Sequence, residues 1–209
     1  MVDIKVSVIM ASFLGEYPGC ASNRDKKFIR AVKSFINQTY QNKELIIVAD
    51  GCELTKKLYE ENFSSYENIK CILIPKQPLF SGVVRTIGLV EATGDYISYL
   101  DNDDVINKTH LEVIVNQLAT DIDLYYYDDY LVLNKEFSKF QKRFVEIRYG
   151  QIGSSSIFHK NIRENWMTWE NGYGHDFLFI MKIIQNGMKF KKLDTAPTYY
   201  VCHYYNADF

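Results

Sequence analysis

The segment Asp95-Tyr96-Ile97-Ser98-Tyr99-Leu100-Asp101-Asn102-Asp103-Asp104 places three carboxylates within four residues, directly behind an apolar, β-prone run. Tyr96, Ile97, Tyr99 and Leu100 have the pattern of a buried strand. Asp101, Asp103 and Asp104 then stand where that strand leaves its sheet. Carboxylates repel one another and resist burial, so such a cluster calls for a cation. Mg²⁺ and Mn²⁺ are hard ions that take a few carboxylates together with phosphate oxygens. In an open α/β sheet, ligands bind at the carboxyl ends of the strands. Two readings follow: a metal-assisted phosphate site, or an acidic, solvated loop that caps a helix starting near Asn107 or Thr109.

The surrounding elements favour the first. Val6–Ala11 reads as a strand and is followed by a loop from Ser12 to Asn23 that is longer than most, a trait of functional loops. Asp25 is the expected cap of a helix running to Gln38, with Phe28, Ala31, Val32, Phe35 and Ile36 as its apolar stripe. Glu44–Ala49 is a second strand ending at Asp50-Gly51, Leu54–Phe63 a helix, and Ile69–Ile74 a third strand. Ser81–Ala92 is a helix stopped by Gly94, and the strand carrying the acidic cluster follows. This alternation predicts an α/β domain with a largely parallel, Rossmann-like sheet.

Beyond it the pattern is less regular. A helix is expected over Thr109–Ala119. Strands are expected at Leu124–Tyr127 and Tyr130–Leu133, paired around Asp128-Asp129. Residues 134–150 read as a mobile loop, Ser154–Phe158 as a strand and His175–Gln185 as a helix. Strands at Met188–Leu193 and Thr198–Cys202 complete the chain. The expected organisation is one domain, with a nucleotide-type half at about 1–106 and a smaller half at about 107–209.

The 209 residues suffice for a sizeable core, and a hydrophobic content of 47% argues against disorder. A formal net charge of −2 gives no footprint for nucleic acid. Cys20, Cys52, Cys71 and Cys202 have no ligand-like spacing, so reduced thiols in an intracellular protein are expected. Residues 1–13 lack the apolar core of a signal peptide, since Asp3 and Lys5 interrupt them. No apolar run reaches the roughly 18–20 residues that span a bilayer. The expected location is cytoplasmic, with peripheral membrane contact left open.

Four blocks carry a family resemblance: Val6–Phe13; Glu44-Leu45-Ile46-Ile47-Val48-Ala49-Asp50-Gly51; Arg85-Thr86-Ile87-Gly88 leading through Ala92-Thr93-Gly94-Asp95 to the acidic cluster; and Gly174-His175-Asp176. In this order and spacing the chain resembles the family 2 glycosyltransferases of the GT-A fold. Ala49 stands where the family usually has the first of two aspartates, and His175 where it commonly has a glutamate.

The resemblance implies inverting transfer of a sugar from a nucleotide diphosphate donor to an acceptor hydroxyl, with Mn²⁺ or Mg²⁺ offsetting charge on the leaving diphosphate. By match to the D-x-D pattern Asp101-Asn102-Asp103, Asp103 is the first metal ligand. Asp101 meets the donor ribose or the metal, and Asn102 belongs to the same donor contact. Asp104 has capping or a supporting contact as its alternative to ligation. His203 is a candidate further ligand, or simply a histidine in a Tyr-rich segment. Ala11 and Phe13 fall on the nucleotide, with Phe13 stacking on the base or packing in the core. Asp50 would accept the N3–H of uracil, which favours a UDP-sugar, or it is a turn residue before Gly51. Arg85 would reach the nucleotide, pair with the acidic cluster, or both. Asp176 matches the catalytic base, with a helix cap as its alternative and Glu170 and Asp128 as fallback bases. Trp166, Trp169 and Tyr173 would form a stacking platform for the acceptor or fill the core. The implied acceptor is a glycan or lipid-linked saccharide of a bacterial surface polysaccharide. Two rival readings are a donor-binding scaffold without turnover, kept open by Ala49 and His175, and a sugar nucleotidyltransferase. The second would need a glycine-rich basic loop after the first strand, which residues 12–24 do not supply.

Overall fold

The computed structural model describes residues 3–18, 20–78 and 80–202. The chain alternates β1 (Val6–Ser12), α1 (Arg24–Ile36), β2 (Lys43–Asp50), α2 (Glu53–Asn62), β3 (Ile69–Ile74), α3 (Gly82–Glu91) and β4 (Tyr96–Tyr99). It continues with β5 (Val105–Ile106), α4 (His110–Val115), β6 (Leu124–Tyr126), β7 (Asp129–Val132), β8 (Phe140–Arg143), β9 (Ile157–Lys160), α5 (His175–Gln185), β10 (Phe190–Lys192) and β11 (Tyr199–Val201). A seven-stranded sheet has the order β10-β6-β9-β4-β1-β2-β3, and a four-stranded sheet the order β5-β11-β7-β8. In the large sheet β9 alone runs antiparallel to its neighbours β4 and β6. Strands from both halves of the chain therefore share one sheet.

The period of two in β1 and β2 sends apolar side chains to both faces, as a sheet covered on both sides requires. Val8, Met10, Leu45 and Ile47 meet Phe28, Ala31, Val32 and Phe35 of α1. Ile9, Ile46 and Val48 join Val84 and Leu89 of α3 and Phe179, Ile180 and Ile183 of α5 on the other face. The switch between β4 and β1 in the sheet order leaves the carboxyl ends of β1, β2 and β4 adjacent, which is where a crevice forms.

Several boundaries differ from expectation for local reasons. α1 starts after Asn23, in left-handed conformation at φ 48°, and Asp25 lies in the first turn instead of capping it. The helix expected at 109–119 stops at Val115, where Gln117 N–H bonds Ile114 O and Leu118 N–H bonds Val115 O, tightening the last turn. β6 and β7 do not pair with each other. β6 lies between β9 and β10, and the chain crosses to the second sheet at Tyr127-Asp128. Residues 140–143, expected in a mobile loop, form β8 against β7, because Arg143 forks onto the buried carboxylate of Asp129. Ser154–Ser156 is a 3-10 turn rather than strand, held by Ser155 and Ser156 hydroxyls donating to Asp129.

Candidate functional site

The acidic loop leaves β4 at the carboxyl edge of the large sheet and is tied down on every side. Leu100 N–H bonds Ile9 O, and Asp104 N–H closes a turn on Asp101 O at 3.1 Å. Asn102 is buried and donates to Ser12 Oγ (3.2 Å), which in turn meets Thr55 Oγ1 at 2.9 Å. Arg30 of α1 donates to Asp103 O at 2.7 Å. Asp101 N–H donates to the Tyr199 hydroxyl at 3.0 Å. Asp104 is buried and accepts from Cys202 N–H at 2.8 Å, and burial followed by repulsion from Asp103 and Asp101 raises its pKa well above the usual carboxylate range. It stitches β11 to the loop, while Asn107 and Thr109 interact at the start of α4. The solvated-cap reading is thereby set aside.

Asp101, Asp103 and the buried Asp104 all line the cleft. Asp101 and Asp103 offer hard oxygen donors of the kind an Mg²⁺ or Mn²⁺ ion takes when phosphates complete its shell, so the donor set fits such an ion. No group of three or more His, Cys, Asp or Glu side chains suited to a metal gathers among the described residues, and His203 lies outside them.

Beside the acidic loop a cavity of about 650 Å³ opens. Ala11, Phe13, Asp50, Arg85, Asp101, Asn102 and Asp103 all line it, so positions spread over 93 residues of sequence meet on one surface. The Phe13 ring lies under Lys76 Nζ, which is 4.5 Å from its centroid. Lys76 also donates to Asp50 Oδ2 (2.6 Å), and Gln77 N–H donates to Asp50 Oδ1 (2.6 Å). Asp50 thus ties the end of β2 to the segment after β3 and also faces the cavity. Gly51 makes this close approach possible. It sits at φ +59°, and a Cβ there would come 2.5 Å from Lys76 Cβ.

Arg85 is the hub of the site. Its Nη1 donates to Ser81 Oγ and to His175 Nε2 (2.8 Å), and its Nη2 donates to Asp101 Oδ1 (2.9 Å) and Ser154 Oγ (2.9 Å). Burial works against its charge, but Asp101 and Asp176 outweigh that and raise its pKa. Asp176 stands in the first turn of α5, after the left-handed Gly174 that begins the helix. Its Oδ1 lies 3.9 Å from Arg85 Nη1 and 3.5 Å from His175 Nε2, yet it has no hydrogen-bond partner among the described residues. A cap would spend its oxygen on a backbone N–H; Oδ1 makes no such bond.

Other candidates lie elsewhere. Trp169 stacks on Phe179 at 4.1 Å and 7°, and donates to the Tyr99 hydroxyl at 3.2 Å; it is core and offers no platform. Trp166 packs against the same core from a partly buried position. Tyr173 is exposed and meets Tyr149 edge-on at 6.0 Å. Glu170 pairs with Lys182. Asp128 is buried between Lys192 (2.6 Å) and Lys142 (3.2 Å). Neither fallback base lines the cavity, and neither does Asp176, which stands 3.9 Å from the lining residue Arg85. Lys76, Tyr17 and Arg24 also line the cavity and went unrecognised in sequence. Only their places, just past β3, in the long loop after β1 and at the start of α1, pointed to them.

The sequence model described as "Glycosyl transferase family 2" matches residues 20–187. The chain belongs to this family. An uncharacterized glycosyltransferase of Haemophilus influenzae is 30% identical over 148 residues, covering 69% of this chain and 45% of that protein. The cholesterol galactosyltransferase of Borreliella burgdorferi is 31% identical over 118 residues, 56% of this chain and 30% of its own length. The chain therefore spans less than half of either curated relative. Residues 1–349 of S. aureus TarS, solved in complex with UDP-GlcNAc, superpose with a TM-score of 0.73 at 19% identity, covering 95% of this chain and 58% of that one. A Pyrobaculum calidifontis mannosyltransferase in complex with GDP-Man and Mn²⁺ gives 0.66 at 12% identity, covering 93% and 56%. At such identities the likeness establishes the fold, which is GT-A.

Proposed function

We propose that this family 2 domain is the donor-binding and base-bearing core of an inverting glycosyltransferase that takes a UDP-sugar. The observation that carries the reading is the meeting of the nucleotide-type positions with the carboxylates of Asp101 and Asp103 in one cavity, while Asp176, whose Oδ1 has no hydrogen-bond partner among the described residues, stands beside it across Arg85. The nucleotide half at about 1–106 holds the donor, and the half at about 107–209 brings the base and receives the acceptor.

In this reading the uracil stacks on Phe13, displacing the Lys76 ammonium, and its N3–H donates to Asp50. Asp101 and Asp103 would hold Mn²⁺ or Mg²⁺, which supplies positive charge to the diphosphate as it departs. Arg85 fixes Asp101 and adds charge of the same sign next to it. The acceptor hydroxyl oxygen attacks the anomeric carbon, the bond from that carbon to the diphosphate breaks, and the hydroxyl proton passes to Asp176. A glycan or lipid-linked saccharide of a bacterial surface polysaccharide suits such an acceptor, used from the cytoplasmic side with peripheral membrane contact. No helix of the described residues is long and apolar enough to cross a membrane.

Calorimetric titration with UDP, GDP and ADP, each with and without Mn²⁺, tests the donor reading. UDP is expected to bind, and to bind more weakly without Mn²⁺ and in Asp103→Ala. Preference for GDP would overturn the assignment of Asp50 to uracil. Absence of binding by all three would favour a scaffold role.

A further inference from the structure

Arg85 presents four terminal N–H hydrogens, two on each Nη, and all four are engaged. Nη1 serves Ser81 Oγ and His175 Nε2; Nη2 serves Asp101 Oδ1 and Ser154 Oγ. Nothing remains on Nη1 for Asp176 Oδ1, although that oxygen is only 3.9 Å away. A guanidinium and a carboxylate at this separation would ordinarily close into a charge-assisted hydrogen bond. Here they do not, and Oδ1 stays unpartnered among the described residues.

The tautomer of His175 follows from its neighbours by two independent routes. Arginine has no acceptor, so Nε2 must offer Arg85 a lone pair. The Gly172 carbonyl has no hydrogen, so Nδ1, 2.8 Å from it, must be the protonated nitrogen. These contacts assign the proton to Nδ1 and leave a bare Nε2 pointing at Arg85. The same Nε2 is 3.5 Å from Asp176 Oδ1 and has no hydrogen to give it. Trp169 (5.8 Å, edge-on) and Phe80 (5.9 Å) hold the ring in place, so it is not free to rotate away.

We propose that His175 is a positioning residue that diverts an Arg85 hydrogen from Asp176, so that the buried Oδ1 keeps its lone pair unspent for the proton of the acceptor hydroxyl. The inference rests on the reading of Asp176 as the base. Arg85 can thus supply positive charge between the two carboxylates, Asp101 and Asp176, while donating a hydrogen bond to Asp101 alone. Without the imidazole lone pair, Nη1 would turn its freed hydrogen onto Oδ1 and occupy the electron pair that catalysis needs.

The test begins with the protein alone. Long-range ¹H–¹⁵N spectra of the imidazoles near neutral pH, with His175 assigned by its loss in His175→Gln, are expected to show a ring protonated on Nδ1 and bare on Nε2. A ring protonated on Nε2 would overturn the proposal. Turnover is then read as UDP release from a UDP-sugar that binds calorimetrically, with Mn²⁺ and water as acceptor. His175→Ala is expected to lower kcat by roughly 10²-fold, the scale of a general base's contribution, with KM for the donor nearly unchanged. His175→Gln, whose amide oxygen can accept from Arg85, is expected to recover most of that loss. Equal kcat in His175→Ala and wild type would overturn the proposal, as would a Gln variant no better than Ala. Thermal melts identify a variant that fails to fold, and the tautomer measurement on wild type stands regardless. Failure of the base reading shows separately, as full turnover in Asp176→Asn with the tautomer as expected.

Discussion

The carboxylates of this protein are sorted by what surrounds each one. Asp104 is buried and satisfied by Cys202 N–H, so it acts as a structural tether. Asp129 is buried and held by Arg143, Ser155 and Ser156. Asp50 is committed at both oxygens yet still faces the cavity. Among the described residues, Asp176 alone combines a place beside Arg85 with a buried carboxylate oxygen that no described group satisfies. An unsatisfied buried acceptor ordinarily costs about 1–3 kcal/mol, and such a cost is retained where a ligand group completes it. Asp176→Asn is expected to bind UDP with wild-type affinity in calorimetry and to lose sugar transfer by 10²-fold or more, on the general-base scale of about 10²–10⁴. Full transfer by this variant would move the base elsewhere.

At the level of elements, the site depends on how α5 begins. Gly174 has φ +80°, and a Cβ there would lie 2.4 Å from Cε2 of Tyr149. The left-handed backbone strains any L side chain there, and the exposed Tyr149 ring would have to shift. Gly174→Ala is therefore expected to lower stability by about 1–3 kcal/mol, visible as a reduced urea midpoint, and to impair turnover by shifting Asp176. An unchanged midpoint would mean that the turn relaxes at no cost. The strands carrying Asp50 and Asp101 are anchored differently. β1 pairs with β2 over seven register positions and with β4 over four, so the carboxyl edge cannot slip without turning its apolar side chains into the wrong layer.

For the molecule as a whole, two buried histidines couple folding to pH. His110 at the start of α4 and His159 on β9 are both fully buried, and burial lowers each pKa from 6.5 to about 4. Each folded-state pKa lies below the unfolded one, so their stabilisation is complete above pH 6.5 and is lost as the pH falls towards 4. Together they should remove about 4 kcal/mol between pH 7 and pH 5. Asp104 acts with the opposite sign, because its raised carboxyl pKa lets the folded state take up a proton as the pH falls. The dependence is best isolated by comparing wild type with His159→Gln in urea unfolding from pH 6 to 5. The variant's slope is expected to be shallower by roughly 1 kcal/mol per pH unit. Equal slopes would show that His159 does not fold as a buried neutral ring.

Local pattern was enough to read the α/β alternation, the strand before the acidic cluster and the family. β1, β2 and the stripe of α1 are set by periodicity, which each segment carries in itself. The set Ala11, Phe13, Asp50, Arg85, Asp101, Asn102 and Asp103, which lines one cavity, was likewise singled out by motifs, because each stands at a strand end or helix start that the pattern already marks. Tertiary structure alone separated roles among residues of one type. Trp169 is core because Phe179 stacks on it, and β8 exists because Asp129 needs Arg143. Lys76 reaches Asp50 across 26 residues of sequence. The Arg85 hub joins residues up to 90 positions apart, and which of its neighbours receives a hydrogen depends on 2.8 Å to His175 against 3.9 Å to Asp176. No segment carries that information, since it arises only when α3, β4, the turn at Ser154 and α5 are packed against one another.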